Sequence, residues 1–392
     1  MTFAQLKALD QSYTMQTYGR FDVGLDHGEG ATLYGLDGEE YIDFASGIGV
    51  NSVGYGNPHW VEAVTTQAKK LAHTSNLYYS QPYAELAERL CRRSGMACAF
   101  FSNSGAEANE GILKLARKYS FDKYGPGRST VLTLRNSFHG RTITTLAATG
   151  QDVFHNYFFP FTEGFRYLPA GDLDALRGQG EDVCAVLLEL IQGEGGVYPM
   201  DRGYVQALAQ YCRQRDWLLL IDEVQTGIGR TGSLFCFQQY GVEPDALTFA
   251  KGIAGGLPMS GVLASEKCRS VLGPGTHATT FGGNPVSAAA ALAVLDILDD
   301  AQMEKIKAKG AYLRGQIEHW NAPLVDGTRG MGLMIGIGVH GKSHKELAAE
   351  MISRGLLVLT AGTDTIRLLP PLTITYEEMD KGLAIMREVL CG

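Results

Sequence analysis

The 392-residue chain has no Cys-x-x-Cys pair, no basic run, no internal repeat and no low-complexity tract. It also has no apolar stretch near the length of a membrane span. Each absence excludes something. The seven cysteines (91, 98, 184, 212, 236, 268 and 391) are scattered and odd in number. That pattern predicts reduced thiols and no zinc site, as expected of a cytoplasmic protein. With 34 basic against 42 acidic residues, the formal charge of −8 argues against a nucleic-acid or membrane-surface partner. Without a long apolar run there is no candidate membrane helix. The opening "MTFAQLKALDQSYTMQTYGRFD" has neither the apolar core of a secretory signal nor the arginines of a transit peptide. What remains is an ordinary globular mix, 45% apolar and 19% charged, long enough for one large domain with a smaller appendage. One residue type is abundant: 49 glycines, in short patches, predict tight turns and close ligand approach.

The order of patterns is informative. "ATLYGLDGEEYIDF" carries an Asp37-Gly38 hairpin signal between apolar runs. Helical periodicity covers Glu62–Lys70 and Pro82–Arg93. From about residue 96, short apolar runs ("MACAFF", "STVLTL", "DVCAVLLE", "WLLLI", "DALTFA", "SGVLA") alternate with helices such as Glu107–Tyr119 and Gly203–Arg215. This alternation predicts an α/β fold whose largely parallel sheet is covered on both faces. "NPVSAAAALAVLDILDD" reads as one long bridging helix. The remainder mixes helices (Gln302–Trp320, His344–Arg354, Tyr376–Leu390) with strands ("GLMIGIGV", "LLVLT", "TIRLLP"), an α+β appendage. The expected division is an N-terminal segment 1–45 packing with the small domain, a large domain 46–290 and a small domain 291–392.

Polar signatures follow the strands, where open α/β sheets bind their ligands. Ser104 and Glu107 form a capping box around Gly105 and Ala106, so a helix starts there. Its free N–H groups and positive dipole end make a phosphate site, although the same residues suit a plain capped helix. Lys251 follows an apolar strand and precedes a glycine patch. Partly desolvated in a cleft, it becomes a nucleophilic amine; taken alone, it reads equally as a solvated strand terminus. Gly227, Gly229 and Gly232 match G-x-G-x-x-G, but Asp222 and Glu223 stand before them and would repel a pyrophosphate. No clear amphipathic helix follows, as a dinucleotide fold requires. An aspartate at a strand end suits a protonated pyridine nitrogen instead. Aspartate, lysine and phosphate-binding helix start together describe pyridoxal 5'-phosphate.

The chain resembles the class III (ω-amino acid) aminotransferases of pyridoxal-phosphate fold type I. The resemblance spans nearly the whole chain through "DFASGIGVN" (43–51), "NSGAEANE" (103–110), "SFHGRT" (137–142), "IQGEGG" (191–196), "IDEVQTGIGRTG", "FAKGIAGGLP", "TTFGGNP" (279–285) and "IRLLPPL" (366–372). It implies a mostly parallel, seven-stranded-type sheet in the large domain. It implies that Ser104, Gly105 and Ala106 hold the cofactor phosphate and that Phe138 stacks on the pyridine ring. Asp222 would bind the ring nitrogen, with Gln225 near the phenolic oxygen. Lys251 would form the Schiff base and carry the proton. Thr280 would bind the phosphate of a neighbouring subunit, making a homodimer with shared sites. Tyr18, Arg141 and Thr279 match substrate-binding positions. Glu194 and Arg367 match a switch in which the carboxylate masks the guanidinium until a 2-oxo acid arrives. Without the surrounding motifs, Phe138 reads as core, Arg141 as a surface pair, Thr280 as turn chemistry and Glu194–Arg367 as a structural salt bridge.

The expected reaction moves the δ-amine of N2-acetyl-L-ornithine to 2-oxoglutarate. Relatives acting on free ornithine usually carry tyrosine where this chain has Gly47, and the small residue leaves room for an acylated amine. Ornithine, succinylornithine, N-acetyl-lysine-type donors and 4-aminobutyrate stay open, because one acyl or methylene group discriminates by only about 1–3 kcal/mol. Two departures from the family pattern are "GYGNPHW" (54–60) and Leu190, where relatives usually have proline. An aminomutase or decarboxylase on the same fold, a nicotinamide dehydrogenase and a non-catalytic cofactor-binding protein are the rival readings.

Overall fold

A computed structural model describes all residues from Met1 to Gly392. Its centre is a seven-stranded sheet in the order Cys98–Ser102, Ser260–Ala264, Ala246–Phe249, Leu218–Asp222, Val183–Leu188, Thr130–Leu134, Phe165–Leu168. Only Ser260–Ala264 runs against its neighbours. Strand alternation sends side chains to two different layers. Leu218 and Leu220 join Ile112, Leu115 and Ala116 of helix Gly105–Tyr124 on one face. Leu219 and Ile221 join Val205 and Leu208 of helix Arg202–Arg215 on the other. Both layers are dry, so these strands read as continuous apolar runs.

The C-terminal part holds an antiparallel sheet of Val325–Met331, Met334–Val339, Thr365–Leu368 and Leu359–Ala361. Helices Asp300–His319, His344–Ser353 and Tyr376–Cys391 pack with it. The N-terminal meander Leu25–Glu29, Thr32–Gly35, Glu40–Asp43 turns at the expected Asp37-Gly38. Its last strand pairs in parallel with Leu356–Leu357.

Four elements differ from the sequence reading. Helix Phe3–Tyr13 carries no buried residue, so no apolar stripe announced it. Edge strand Phe165–Leu168 is four residues with alternating exposure. Val325–Met331 contains two glycines, an aspartate and an arginine, and exists because Met334–Val339 pairs with it. The bridging helix is shorter than its apolar run: Pro285–Ile297 ends at Leu298, and Asp299 caps the next helix, Asp300–His319, by accepting from Gln302 N at 2.8 Å. Charge at 299 and 300 favours that new helix start.

The glycine triplet opens no helix. Gly229 and Gly232 have φ of +84° and +90°. A Cβ at Gly232 would lie 2.4 Å from Lys307 Cγ, so glycine lets this loop pack against helix Asp300–His319.

Candidate active site

A cavity of about 460 Å³ opens at the carboxyl ends of the central strands. Its walls include Asn103, Ser104, Gly105, Ala106, Asn109, Phe138, Arg141, Glu189, Asp222, Gln225 and Lys251.

Ser104 ends the loop after Cys98–Ser102 in an extended conformation and caps Gly105–Tyr124. Its hydroxyl accepts from Glu107 N at 3.2 Å, and Glu107 Oε2 accepts from Ser104 N at 3.1 Å. The capping box therefore leaves the amides of Gly105 and Ala106 facing the cavity, an anion cradle at a helix start. A Cβ at Gly105 would come within 2.8 Å of Val224 Cγ1, a wall residue. The cradle has room only for glycine.

Asp222 is the last residue of its strand and is 4% exposed. Oδ2 accepts from Asn109 Nδ2 at 2.7 Å and pairs with His139 Nδ1 at 2.8 Å; Oδ1 accepts from Val224 N at 3.0 Å. Burial pushes the carboxyl pKa up, but the bond to His139, the attraction of His139 and the two other donors outweigh it. The net shift is downward, so the carboxylate stays ionised. Asn109 also donates to His139 O at 2.7 Å, fixing helix, loop and carboxylate together. Glu189, at the end of Val183–Leu188, accepts from Phe138 N at 3.0 Å and thereby places the ring of Phe138. Burial raises Glu189 to about 7.

Glu223, the next residue along, turns the other way. It accepts from Thr226 Oγ1 at 2.6 Å, Cys236 N at 2.9 Å and Phe237 N at 2.7 Å. It latches the glycine loop and lies outside the cavity.

Lys251 lies in a 3₁₀ turn two residues beyond Ala246–Phe249, the strand hydrogen-bonded to that of Asp222. Its φ of +42° is left-handed, an uncommon strain for a lysine. Desolvation pulls the ammonium pKa below the ordinary lysine value; the opposing pull of Glu194 is smaller. A lysine so placed gives up its proton more readily than one in water.

Arg367 projects from Thr365–Leu368 of the C-terminal sheet, with its side chain 3% exposed. Nη1 donates to Glu194 Oε1 at 2.6 Å and to Gln225 Oε1 at 3.1 Å. Burial pushes Glu194 up, but Arg367 holds it below the ordinary glutamate value, with help from Lys251 and Arg141. The ion pair thus stands beside the cavity through Gln225.

Besides Glu194 and Arg367, which stand beside it, three expected residues do not line the cavity. Thr279 reaches it indirectly, accepting from Asn103 Nδ2 at 3.2 Å. Thr280 is exposed. Tyr18 is 72% exposed and lines a separate surface cavity with Phe3, Lys7 and Asp22. Sequence reasoning in turn passed over Asn109, His139 and Glu189. Asn109 had a signal: it lies four residues after Gly105, on the same helix face.

The profile of the family described as Aminotransferase class-III matches residues 13–390. The chain belongs to this family. Its similarity to the acetylornithine aminotransferase of Haemophilus ducreyi is 50% identity over 393 residues, covering 100% of this chain and 99% of that one. Among solved structures, an ornithine aminotransferase from Toxoplasma gondii, with partially occupied PLP at its active site, superposes with a TM-score of 0.94. It is 31% identical, covering 100% of this chain and 94% of that one. Acetylornithine aminotransferase from Elizabethkingia anophelis superposes at 0.88, with 31% identity, 100% of this chain and 99% of that one covered. A class-III aminotransferase is a pyridoxal 5'-phosphate enzyme of α/β fold type I. The cavity fits that cofactor: it offers an anion cradle at Gly105 and Ala106, a buried ionised Asp222, and Lys251. No helix is long and apolar enough to cross a membrane.

Proposed function

We propose that this class-III aminotransferase moves the δ-amine of N2-acetyl-L-ornithine to 2-oxoglutarate, releasing N-acetyl-L-glutamate 5-semialdehyde and L-glutamate. The observation that carries the reading is the 2.6 Å ion pair between Glu194 and Arg367, held against the cavity through Gln225. A donor with a distal amine and an acceptor with an α-carboxylate need different environments at one place. Paired, Arg367 is neutralised for the donor. Freed, its planar fork grips a carboxylate bidentately.

When bound, pyridoxal phosphate supplies an aldehyde for the amine and a ring that accepts an electron pair. The backbone amides of Gly105 and Ala106, with Ser104, bind its phosphate. Phe138 would stack on the ring, and Gln225 would lie near the phenolic oxygen. Asp222 would keep a proton on the ring nitrogen, its own charge secured by His139 and Asn109. Lys251 would take the proton from the amine-bearing carbon and return it across the nitrogen to the cofactor's aldehyde carbon, its lowered pKa easing loss of its own proton.

Arg141 and Thr279 serve the substrate's carboxylate end. Thr280, exposed in one protomer, serves the cavity of a partner in a homodimer, and Tyr18 is read as a substrate-facing residue. Gly47 supports the acylated donor: it has φ +61°, where tyrosine is strained, and a Cβ there has only Asn51 and Val50 within 4.0 Å. The pairing of Glu40–Asp43 with Leu356–Leu357 supports an N-terminal segment, 1–45, that packs with a small domain, 291–392, beside a large domain, 46–290. Seven free cysteines support a reducing compartment, the cytoplasm.

The test is a donor panel with 2-oxoglutarate, measuring glutamate formed. Acetylornithine should have the highest kcat/KM. Ornithine, succinylornithine or 4-aminobutyrate above it would overturn the donor assignment.

A further inference from the structure

Arg141 lies between Gly140, at φ +140°, and Thr142, which caps helix Ile143–Ala148. That backbone turns the side chain into the cavity mouth. Aromatic rings hold it there. Its Cζ lies 4.2 Å from the ring centroid of Phe154 and 5.4 Å from that of Phe138. The two rings stand edge to face, 5.8 Å apart at 71°. A guanidinium within about 6 Å of an aromatic face is attracted by the ring quadrupole while its N–H groups stay free in the ring plane's surroundings.

Phe154 is itself fixed. It closes the short turn Asp152–Phe154, with its N–H donating to Gln151 O at 3.1 Å. The turn is pinned on both sides: Gln151 Nε2 donates to Ser137 O at 2.9 Å, and His155 Nε2 meets Leu146 O at 2.9 Å. Ser137 immediately precedes Phe138, so both rings are referred to one loop.

We infer that Phe154 is a positioning residue that holds the guanidinium of Arg141 for a donor's carboxylate. This rests on the reading of Arg141 as a carboxylate anchor. Phe154 sets direction without touching the reacting atoms. The bare cation keeps its hydrogen-bonding edge open, where a carboxylate partner from the protein would occupy it.

The experiment compares N2-acetylornithine with its α-carboxamide in Phe154→Leu, Phe154→Trp and Arg141→Ala. Phe154→Leu should raise KM for the carboxylate donor about 3- to 10-fold, the range of one such contact. It should leave kcat within about 2-fold and the carboxamide donor unchanged; Phe154→Trp should restore the wild-type KM. Labelling of Arg141 by phenylglyoxal, read by mass spectrometry, should be faster in Phe154→Leu than in wild type. An unchanged donor ratio and labelling rate in Phe154→Leu overturns the inference, as does an equal fall in kcat for both donors. If Arg141→Ala keeps the carboxylate preference, the anchor reading falls and the inference with it. If Arg141→Ala abolishes the preference while Phe154→Leu does not, the inference alone falls. Should Phe154→Leu fail to fold, Phe154→Met is read in the same way.

Discussion

The floor of the cavity and its rim are built by different means. Floor residues Asp222, Lys251, Asn109 and Glu189 come from adjacent strand ends and one helix start, all within a single chain, with Asn109 bonded to Asp222 and Glu189 to the backbone of Phe138. Rim residues Tyr18 and Thr280 lie in irregular segments, exposed and outside the cavity. The sheet fixes the floor, because a strand terminus in a parallel array has no freedom to turn away. The rim has no such frame within one protomer. Chemistry belongs to the floor; in the proposed homodimer a second copy would supply the rim.

The sharpest break of this contrast is Lys251→Ala. Removing the base at the floor should lower turnover by about 10²–10⁴-fold, the ordinary worth of a positioned proton-transfer group. Cofactor retention, read by absorbance, should persist because the phosphate cradle and Asp222 remain.

Next in size is the hidden side of the same strand end. Burial raises Glu223 from an ordinary 4.5 to about 7. An acid raised in the folded state stabilises the fold below its ordinary pKa and loses that contribution as pH rises through the folded one. Stability should therefore fall between about pH 4.5 and 7, by about 3 kcal/mol for this group at 1.36 kcal/mol per unit. Glu223→Gln should flatten that slope in denaturant titrations while leaving donor preference unchanged. A shift in donor preference would place Glu223 in the site after all.

The smallest effect tests the rim. Thr280→Ala removes one neutral hydroxyl, about 0.5–1.5 kcal/mol, so cofactor affinity should weaken roughly 2- to 10-fold. The loss should be seen only where dimers persist. A mixed dimer pairing Thr280→Ala with Lys251→Ala sharpens the contrast. It keeps one working floor, and the rim mutation should affect only the cavity that faces it.

Some of this was legible before folding. Ser104, Gly105 and Ala106 announced themselves through a local capping pattern, and Asp222 and Lys251 through apolar runs that stop at a charged residue. Asp222 and Glu223 could not be told apart in the same way. Only alternation along a strand buried on both faces sends one carboxylate to the cavity and the other to the latch at Cys236 and Phe237. His139 and Glu189 were illegible because their partners lie 83 and 51 residues away in sequence. Val325–Met331 was illegible as a strand because its composition opposes one and only pairing makes it.

The sequence by itself determined six of the seven central strands, the helix start that cradles an anion, and the family. These depend on periodicities and caps that act over a few residues. Tertiary structure alone decided which carboxylate stays ionised, that Gln225 joins the pair of Arg367 and Glu194, and which rings hold Arg141. Those are effects of burial and of distance through space, and neither exists until the chain has packed.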